Sequence, residues 1–220
     1  GNDFGGAISI SATGDITLND DNSVAVDTIT GASLVLTAGA GVTDAQADGG
    51  TVIVVPPVGA PDNTPDVITR GTDNVTVTGP LTITAASIGT SADPLEISAP
   101  ASGTSTAVVI DIDIQGGGLF VDVAGDLDFD QISVTGATTV EVAAQNITVN
   151  GDFNTGTITD IEFLARGIIF GGSGTITGNT LQLDARAVGQ DVIGSIAAPI
   201  LLNMASGADY RVPDNELNGF

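Results

Sequence analysis

The chain of 220 residues carries 27 acidic residues against four arginines, with no lysine, histidine or cysteine, so its formal net charge is −23. This charge repels nucleic-acid phosphates and anionic lipid headgroups, which excludes both as direct partners. The missing cysteine and histidine exclude disulfides, thiolate metal sites and most nucleophilic triads, and the absence of an 18-residue apolar run predicts no membrane insertion.

The apolar part of the chain is aliphatic. Hydrophobic residues make up 42 % of the sequence, but aromatic residues make up only 4 %, and there are 30 glycines. Valine, isoleucine and threonine favour strands, whereas glycine favours turns. The composition therefore predicts an all-β fold.

The first predicted strands lie within Ile8–Leu18, where apolar residues alternate with variable ones on either side of a Gly-Asp turn. This stretch aligns without a gap on Leu119–Phe129, and Leu34–Val42 is a third unit of the same kind. Thr51–Val55 is an apolar β run. Four prolines follow, and since proline cannot donate to a strand ladder, residues 56–74 are predicted to be a loop excursion.

Predicted strands resume at Val75–Val77 and Leu81–Ala85. The segment Ile88–Ile97 then matches Ile193–Leu202 at an offset of 105 residues, which is five repeats of 21 and indicates a repeat in phase across the interval. Residues 99–107 are predicted to be a loop, and Val108–Ile114 is predicted to be a strand.

Residues 119–188 contain four copies of one alternating pattern, spaced 21, 21 and 20 residues apart. Alternation with period two predicts strands with one buried face. If successive copies stack in register, the inward residues form three ladders: Leu119–Val140–Ile161–Leu181, Val121–Val142–Phe163–Leu183 and Val123–Ala144–Ala165–Ala185. A second inward group follows each copy: Leu127 with Phe129, Ile147 with Val149, Ile168 with Phe170, and Val188 alone.

A repeat near 20 residues is too short for a helical hairpin but fits one coil of a β-solenoid. The sequence thus predicts a single solenoid domain over 1–220, with about ten coils of ~20–21 residues. Residues 205–220 show little alternation and are predicted to form a C-terminal cap or assembly segment, or a flexible tail. The chain starts at Gly1, without a methionine or signal sequence, so we expect a segment of a longer protein or a subunit of a longer assembly.

The segments Ile88–Ile97 and Ile193–Leu202 resemble the Ile-Gly-(Thr/Ser)-x-Ala-x-Pro-Leu element of filamentous-haemagglutinin-like proteins, which are giant bacterial exoproteins. The resemblance covers most of residues 7–204 outside the proline-rich stretch. It implies a right-handed parallel β-helix, an extracellular or cell-surface location, and a role as adhesin, stalk or filament. It brings no catalytic residues. The missing lysine and the proline-rich stretch depart from the family pattern.

The candidate sites are acidic. Calcium, with its six to eight oxygen ligands, is an alternative reading of one acidic cluster, although strand alternation predicts an outward solvated face for all but one of these residues. The cluster comprises Asp111, Asp113, Asp122, Asp126, Asp128 and Asp130. The alignment also stacks Glu141 on Glu162, the pairing of a hydrolase site, and Arg166 on Arg186. Identical registry explains such pairs without function, so no catalytic, cofactor or metal residue is predicted.

The sequence therefore predicts a non-enzymatic structural or adhesive element of a bacterial surface. Its expected partners are copies of itself or adjacent repeats, end to end, and glycans or a host surface. A ligand-binding passenger adhesin is the alternative function, and a β-helical carbohydrate-active enzyme is the third.

Overall fold

The computed structural model describes residues 2–46, 70–99, 110–156, 159–185, 193–195 and 197–211, with side chains described as far as residue 208. Over these ranges the protein is all-β and contains no helix, as the composition predicts. The strands form three sheets of eleven, five and three strands, called here the main, second and third sheets.

The chain passes repeatedly from one sheet to another, and the strands of each sheet have the following bounds. The main sheet contains β1 (Ile8–Ser11), β3 (Val24–Gly31), β5 (Gly41–Asp44), β6 (Val75–Val77), β8 (Ser87–Ile88), β9 (Leu95–Ser98), β11 (Gly118–Val123), β14 (Thr139–Ala144), β16 (Asp160–Ala165), β18 (Thr175–Ala185) and β19 (Leu201–Arg211). The second contains β2 (Asp15–Asp20), β4 (Ser33–Ala38), β7 (Leu81–Ala85), β10 (Ile110–Ile114) and β13 (Ile132–Thr135). The third contains β12 (Leu127–Asp128), β15 (Ile147–Thr148) and β17 (Ile169–Phe170).

All pairings between these strands are parallel, and neighbouring strands come from successive repeats. The first two predicted ladders are confirmed: Leu119, Val140, Ile161 and Leu181 are register partners, and so are Val121, Val142, Phe163 and Leu183. The third is confirmed from Ala144 through Ala165 to Ala185. These side chains are buried and belong to one continuous hydrophobic core.

The prediction of the second inward group is correct for the first two copies and wrong by one residue in the third. Leu127 pairs with Ile147, and Ile147 pairs with Ile169 rather than with Ile168. Phe170 is consequently 46 % exposed. Three residues lie between Ala165 and Ile169, whereas two lie between Ala144 and Ile147, and a shift of one residue turns every side chain to the opposite face.

The predicted excursion lies between β5 and β6, two strands that both pair with β3. β5 and β6 lie one after the other along β3, with Val24 opposite Val42 and Ile29 opposite Val75. The chain leaves after β5 and returns at Asn74, whose Nδ2 donates to Asp44 Oδ1 at 2.5 Å. Residues 56–69 of the predicted excursion, and the β run Thr51–Val55, lie outside the described residues, as do residues 100–107 of the predicted loop.

The matching segments Ile88–Ile97 and Ile193–Leu202 contain similar turns, but their first residues pair in different places. Gly89 and Gly194 both have positive φ, at 60° and 63°, and each is followed by reciprocal backbone hydrogen bonds, between Thr90 and Asp93 and between Ser195 and Ala198. However, Ile88 pairs with Leu119 in the main sheet, whereas Ile193 pairs with Ile169 beside the third sheet. The predicted constant phase over 105 residues is therefore wrong.

The N-terminal alignment is corrected in the same way. Ile8–Ser11 and Leu119–Val123 both lie in the main sheet, but Asp15–Asp20 lies in the second sheet whereas its aligned partner, Leu127–Asp128, lies in the third. Leu34–Ala38 also belongs to the second sheet. At the other end of the chain, the segment predicted to be a cap or tail continues β19 as far as Arg211, parallel to β18.

Candidate functional site

A shallow groove of about 270 Å³ lies on the outer face of the main sheet, over β14, β16 and β18. Since side chains alternate along a strand, each strand contributes two outward residues separated by one inward residue. The groove is lined by the outward rows Thr139–Asp160–Thr180 and Glu141–Glu162–Gln182 and by the inward residues between them, Val140, Ile161 and Leu181. This groove brings together Glu141 and Glu162, two of the residues considered in the sequence analysis.

The predicted stacking of Glu141 on Glu162 is confirmed, because the two residues are direct register partners. Both side chains are half-buried. Burial, with a smaller contribution from the charge of Glu162, raises the pKa of Glu141 to about 7. Gln182 Nε2 donates a hydrogen bond to Glu162 Oε1 at 2.6 Å.

The other wall of the groove holds a carboxylate in a different state. Asp160 is exposed and accepts hydrogen bonds from Thr180 Oγ1 at 2.7 Å and from Asn179 Nδ2 at 2.8 Å. These two bonds, that from Thr180 first, lower the pKa of Asp160. The groove therefore has one wall with a carboxylate whose pKa is lowered and one wall with a carboxyl group, that of Glu141, whose pKa is raised to about 7.

An aromatic ring extends the glutamate row beyond β14. Phe120 on β11 is the register partner of Glu141, and its side chain is partly exposed. The ring lies over Gly118, where an added Cβ would come within 2.5 Å of Phe120 Cε2. A ring, two carboxyl groups and an amide in one row can stack on and hydrogen-bond to a polar ligand. The sequence analysis missed Phe120, although it occupies the same outward position as Glu141 in the preceding repeat.

Asp122 overturns the prediction of an outward solvated face for the acidic cluster. It points away from the core, as alternation requires, yet its side chain is fully buried. Arg166 forms an ion pair with its Oδ2, and Arg70 Nε lies 3.4 Å from its Oδ1. Arg70 also pairs with Asp73 and donates to Ile97 O at 3.1 Å.

The sequence offers little signal for this ion-pair network. Arg166 and Arg70 lie 44 and 52 residues from Asp122 along the chain, and no repeat spacing links them. The predicted stacking of Arg166 on Arg186 cannot be placed, because Arg186 lies outside the described residues. Arg166 follows β16, but its side chain reaches Asp122 on β11, which is separated from β16 by the intervening strand β14.

Three of the remaining acids of the cluster, Asp113, Asp126 and Asp128, accept hydrogen bonds from polar side chains, mostly of the next repeat. Asp113 accepts from Thr135 at 3.0 Å and from Gln115 at 2.8 Å. Asn146 donates to Asp126 and Asn150 donates to Asp128, both at 2.7 Å; the backbone N–H of Asp130 also donates to Asp128, and Asp111 is exposed. In the described part of the chain, no three acidic residues are grouped closely enough to hold a metal ion.

Comparison of the chain with protein-family models, with curated proteins and with solved structures gives no match. Within the ranges given above, the structure has no helix that is long and apolar enough to cross a membrane.

Proposed function

We propose that the chain is a right-handed parallel β-helix of about ten coils of ~20–21 residues that serves as a structural or adhesive rod on a bacterial surface. The single observation that carries the proposal is the in-register parallel pairing of residues one repeat apart, such as Val140 with Ile161 and Ile161 with Leu181. The apolar faces of successive repeats join in one continuous core, which is the arrangement expected of a solenoid.

An extracellular or cell-surface location is part of the proposal. A net charge of −23 is tolerated in a salty exterior, where charges further apart than about 8 Å are screened. The likeness of Ile88–Ile97 and Ile193–Leu202 to haemagglutinin-like repeats supports the same location. The proposed partners are copies of the chain or adjacent repeats, joined end to end, and the proposal assigns no enzymatic activity, cofactor or metal.

Electron microscopy of the purified chain, combined with small-angle X-ray scattering, tests this function. With strands about 4.8 Å apart, ten stacked coils form a rod on the order of 45–50 Å long. We expect an elongated particle of that length, or filaments built from it if the ends associate. A compact, nearly spherical particle would contradict both the architecture and the proposed role.

A ligand-binding adhesin is the second candidate, and the groove beside Phe120 favours it. We expect glycan binding, if it occurs here, to be lost in Phe120→Ala and Gln182→Ala and retained in Phe170→Ala, because Phe170 is exposed but lies in the third sheet. A glycan array with the isolated chain and these variants is the measurement. Equal binding by all variants would place the ligand elsewhere, and turnover of a polysaccharide that Glu141→Gln abolishes would favour the carbohydrate-active enzyme instead.

A further inference from the structure

The strand β2 ends in a carboxylate that occupies an inward-facing position. Alternation along β2 turns Leu18 and Asp20 to the same side, and their register partners on β4 are the core residues Leu36 and Ala38. Asp20 is only 1 % exposed. Burial of a carboxylate costs free energy unless hydrogen bonds compensate it, and one such bond is local, from Asn22 N to Asp20 Oδ1 at 2.7 Å.

The other hydrogen bond to Asp20 comes from the N-terminal segment of the chain. Phe4 N donates to Asp20 Oδ2 at 2.8 Å, and Asn2 Nδ2 donates to the carbonyl oxygen of Asn19 at 3.0 Å. Residues 2–4, called here the N-terminal strap, are therefore held beside the end of β2 by a side chain and by the backbone of that strand.

The strap lies on the free edge of β2. The carbonyl oxygen of Asp20 accepts from Gly39 N at 2.9 Å, on the side of the next repeat. Since successive carbonyl groups of a strand point to opposite edges, the carbonyl group of Asn19, which binds Asn2, points to the other edge. That is the edge on which a further repeat would stack.

The core is less completely covered at this end than in the repeats that follow. Within the described residues, β1 pairs only with β3 and β2 only with β4. Ile10 and Leu18 are only partly buried, whereas their register partners Ile29 and Leu36 are fully buried. Phe4 packs against the same core. The strap therefore covers part of an end that otherwise presents apolar residues and open strand edges.

The opposite end of the main sheet has an edge of a different kind. β19 is the last strand there, and in the described part of the chain it pairs only with β18. From Leu201 to Ala208 the strand contains no charged residue, and Leu201 is 42 % exposed. An edge strand without charges is a template on which a strand of another chain can pair, so the β19 edge of one copy fits the edge of β1 in a second copy.

We propose that the N-terminal strap is an autoinhibitory contact: while Asp20 holds it, the β1–β2 end of one copy cannot accept the β19 edge of a second copy, and displacement of the strap opens that end. The inference rests on the rod of the proposed function and specifies which end controls its end-to-end joining. Asp20 opposes joining twice, because it holds the strap and because, without the N–H of Phe4, it would be a buried charge in the joint. With this end closed, only β19 edges are open, so association stops at two copies.

Asp20→Ala tests the strap, since it gives β2 the residue that β4 has at this position, Ala38. We expect the association constant for end-to-end joining to rise about tenfold or more, with chains of three or more copies in electron microscopy and sedimentation velocity. The unsubstituted protein should not exceed two copies. Asp15→Ala is the matched control: it removes an acid from the same strand, but one that is exposed and bonded to Ser33, so it should behave as the unsubstituted protein does.

Removal of residues 1–4 is the second variant, and it carries the test if circular dichroism shows that Asp20→Ala does not fold. It should also form chains of more than two copies, but shorter ones than Asp20→Ala, because the carboxylate stays in the joint. Long chains of the unsubstituted protein, rods of unchanged length in the folded variants, or equal association of Asp20→Ala and Asp15→Ala would overturn the strap alone. A compact particle of the unsubstituted protein would contradict the rod, and the strap proposal with it.

Discussion

Truncation of Phe163 to alanine should lower the free energy of unfolding by about 3–5 kcal/mol, the usual cost of removing a buried aromatic ring. Phe163 is fully buried and stands in the ladder between Val142 and Leu183. Its ring centroid lies 4.8 Å from that of Phe129 and 5.0 Å from that of Phe153, so the truncation removes two aromatic contacts as well as apolar burial. Urea denaturation followed by circular dichroism measures the loss.

Phe170→Ala is the matched control for this prediction. Its position is 46 % exposed, so its truncation should cost less than about 1 kcal/mol. The two variants delete the same atoms and differ only in whether the ring faces the core. Equal costs would mean that Phe163 does not point inward, and the assignment of the ladders to the interior would fail with it.

Replacement of Arg166 by alanine should lower the free energy of unfolding by about 2–4 kcal/mol, because it removes a partner from the fully buried carboxyl group of Asp122. Arg70 remains near Asp122 Oδ1 at 3.4 Å, which places the expected cost somewhat below that of leaving a buried charge with no partner. Equilibrium urea denaturation at moderate salt is the measurement.

A second substitution distinguishes two causes of the expected loss of stability: the change at the buried charge of Asp122, and the lost packing of the arginine side chain. In the double variant Arg166→Ala with Asp122→Asn, the buried charge that has lost Arg166 as a partner is absent, so we expect the double variant to be more stable than Arg166→Ala alone. If the Arg166→Ala variant unfolds at the same urea concentration as the unsubstituted protein, the ion pair contributes nothing. If the double variant is the less stable one, packing rather than charge explains the loss.

The arrangement of the core was predictable because parallel stacking repeats one pattern. When inward residues recur every 20–21 positions, strands from successive repeats pair with equivalent residues opposite one another. Val121, Val142 and Leu183 could therefore be placed from their spacing alone. The same rule placed Glu141 beside Glu162 and thereby located half of the groove.

The sheet that each strand joins was not predictable. Ile88 and Ile193 begin the same turn, with positive φ at the following glycine, but pair in different places. A turn is decided by the residues within it, whereas a strand's position in its repeat depends on every residue that separates it from the preceding turn. One additional residue between Ala165 and Ile169 was enough to turn Phe170 outward.

The sequence by itself determined that this chain is made of strands, which of their faces is apolar, and which equivalent residues stack, since these depend on local alternation and on the repeat length. Only the tertiary structure decided that Asp122 is buried, because burial there requires Arg166 and Arg70 to approach from 44 and 52 residues away. A local pattern reports whether a side chain points away from the core. Whether the outer face is then covered depends on distant parts of the chain.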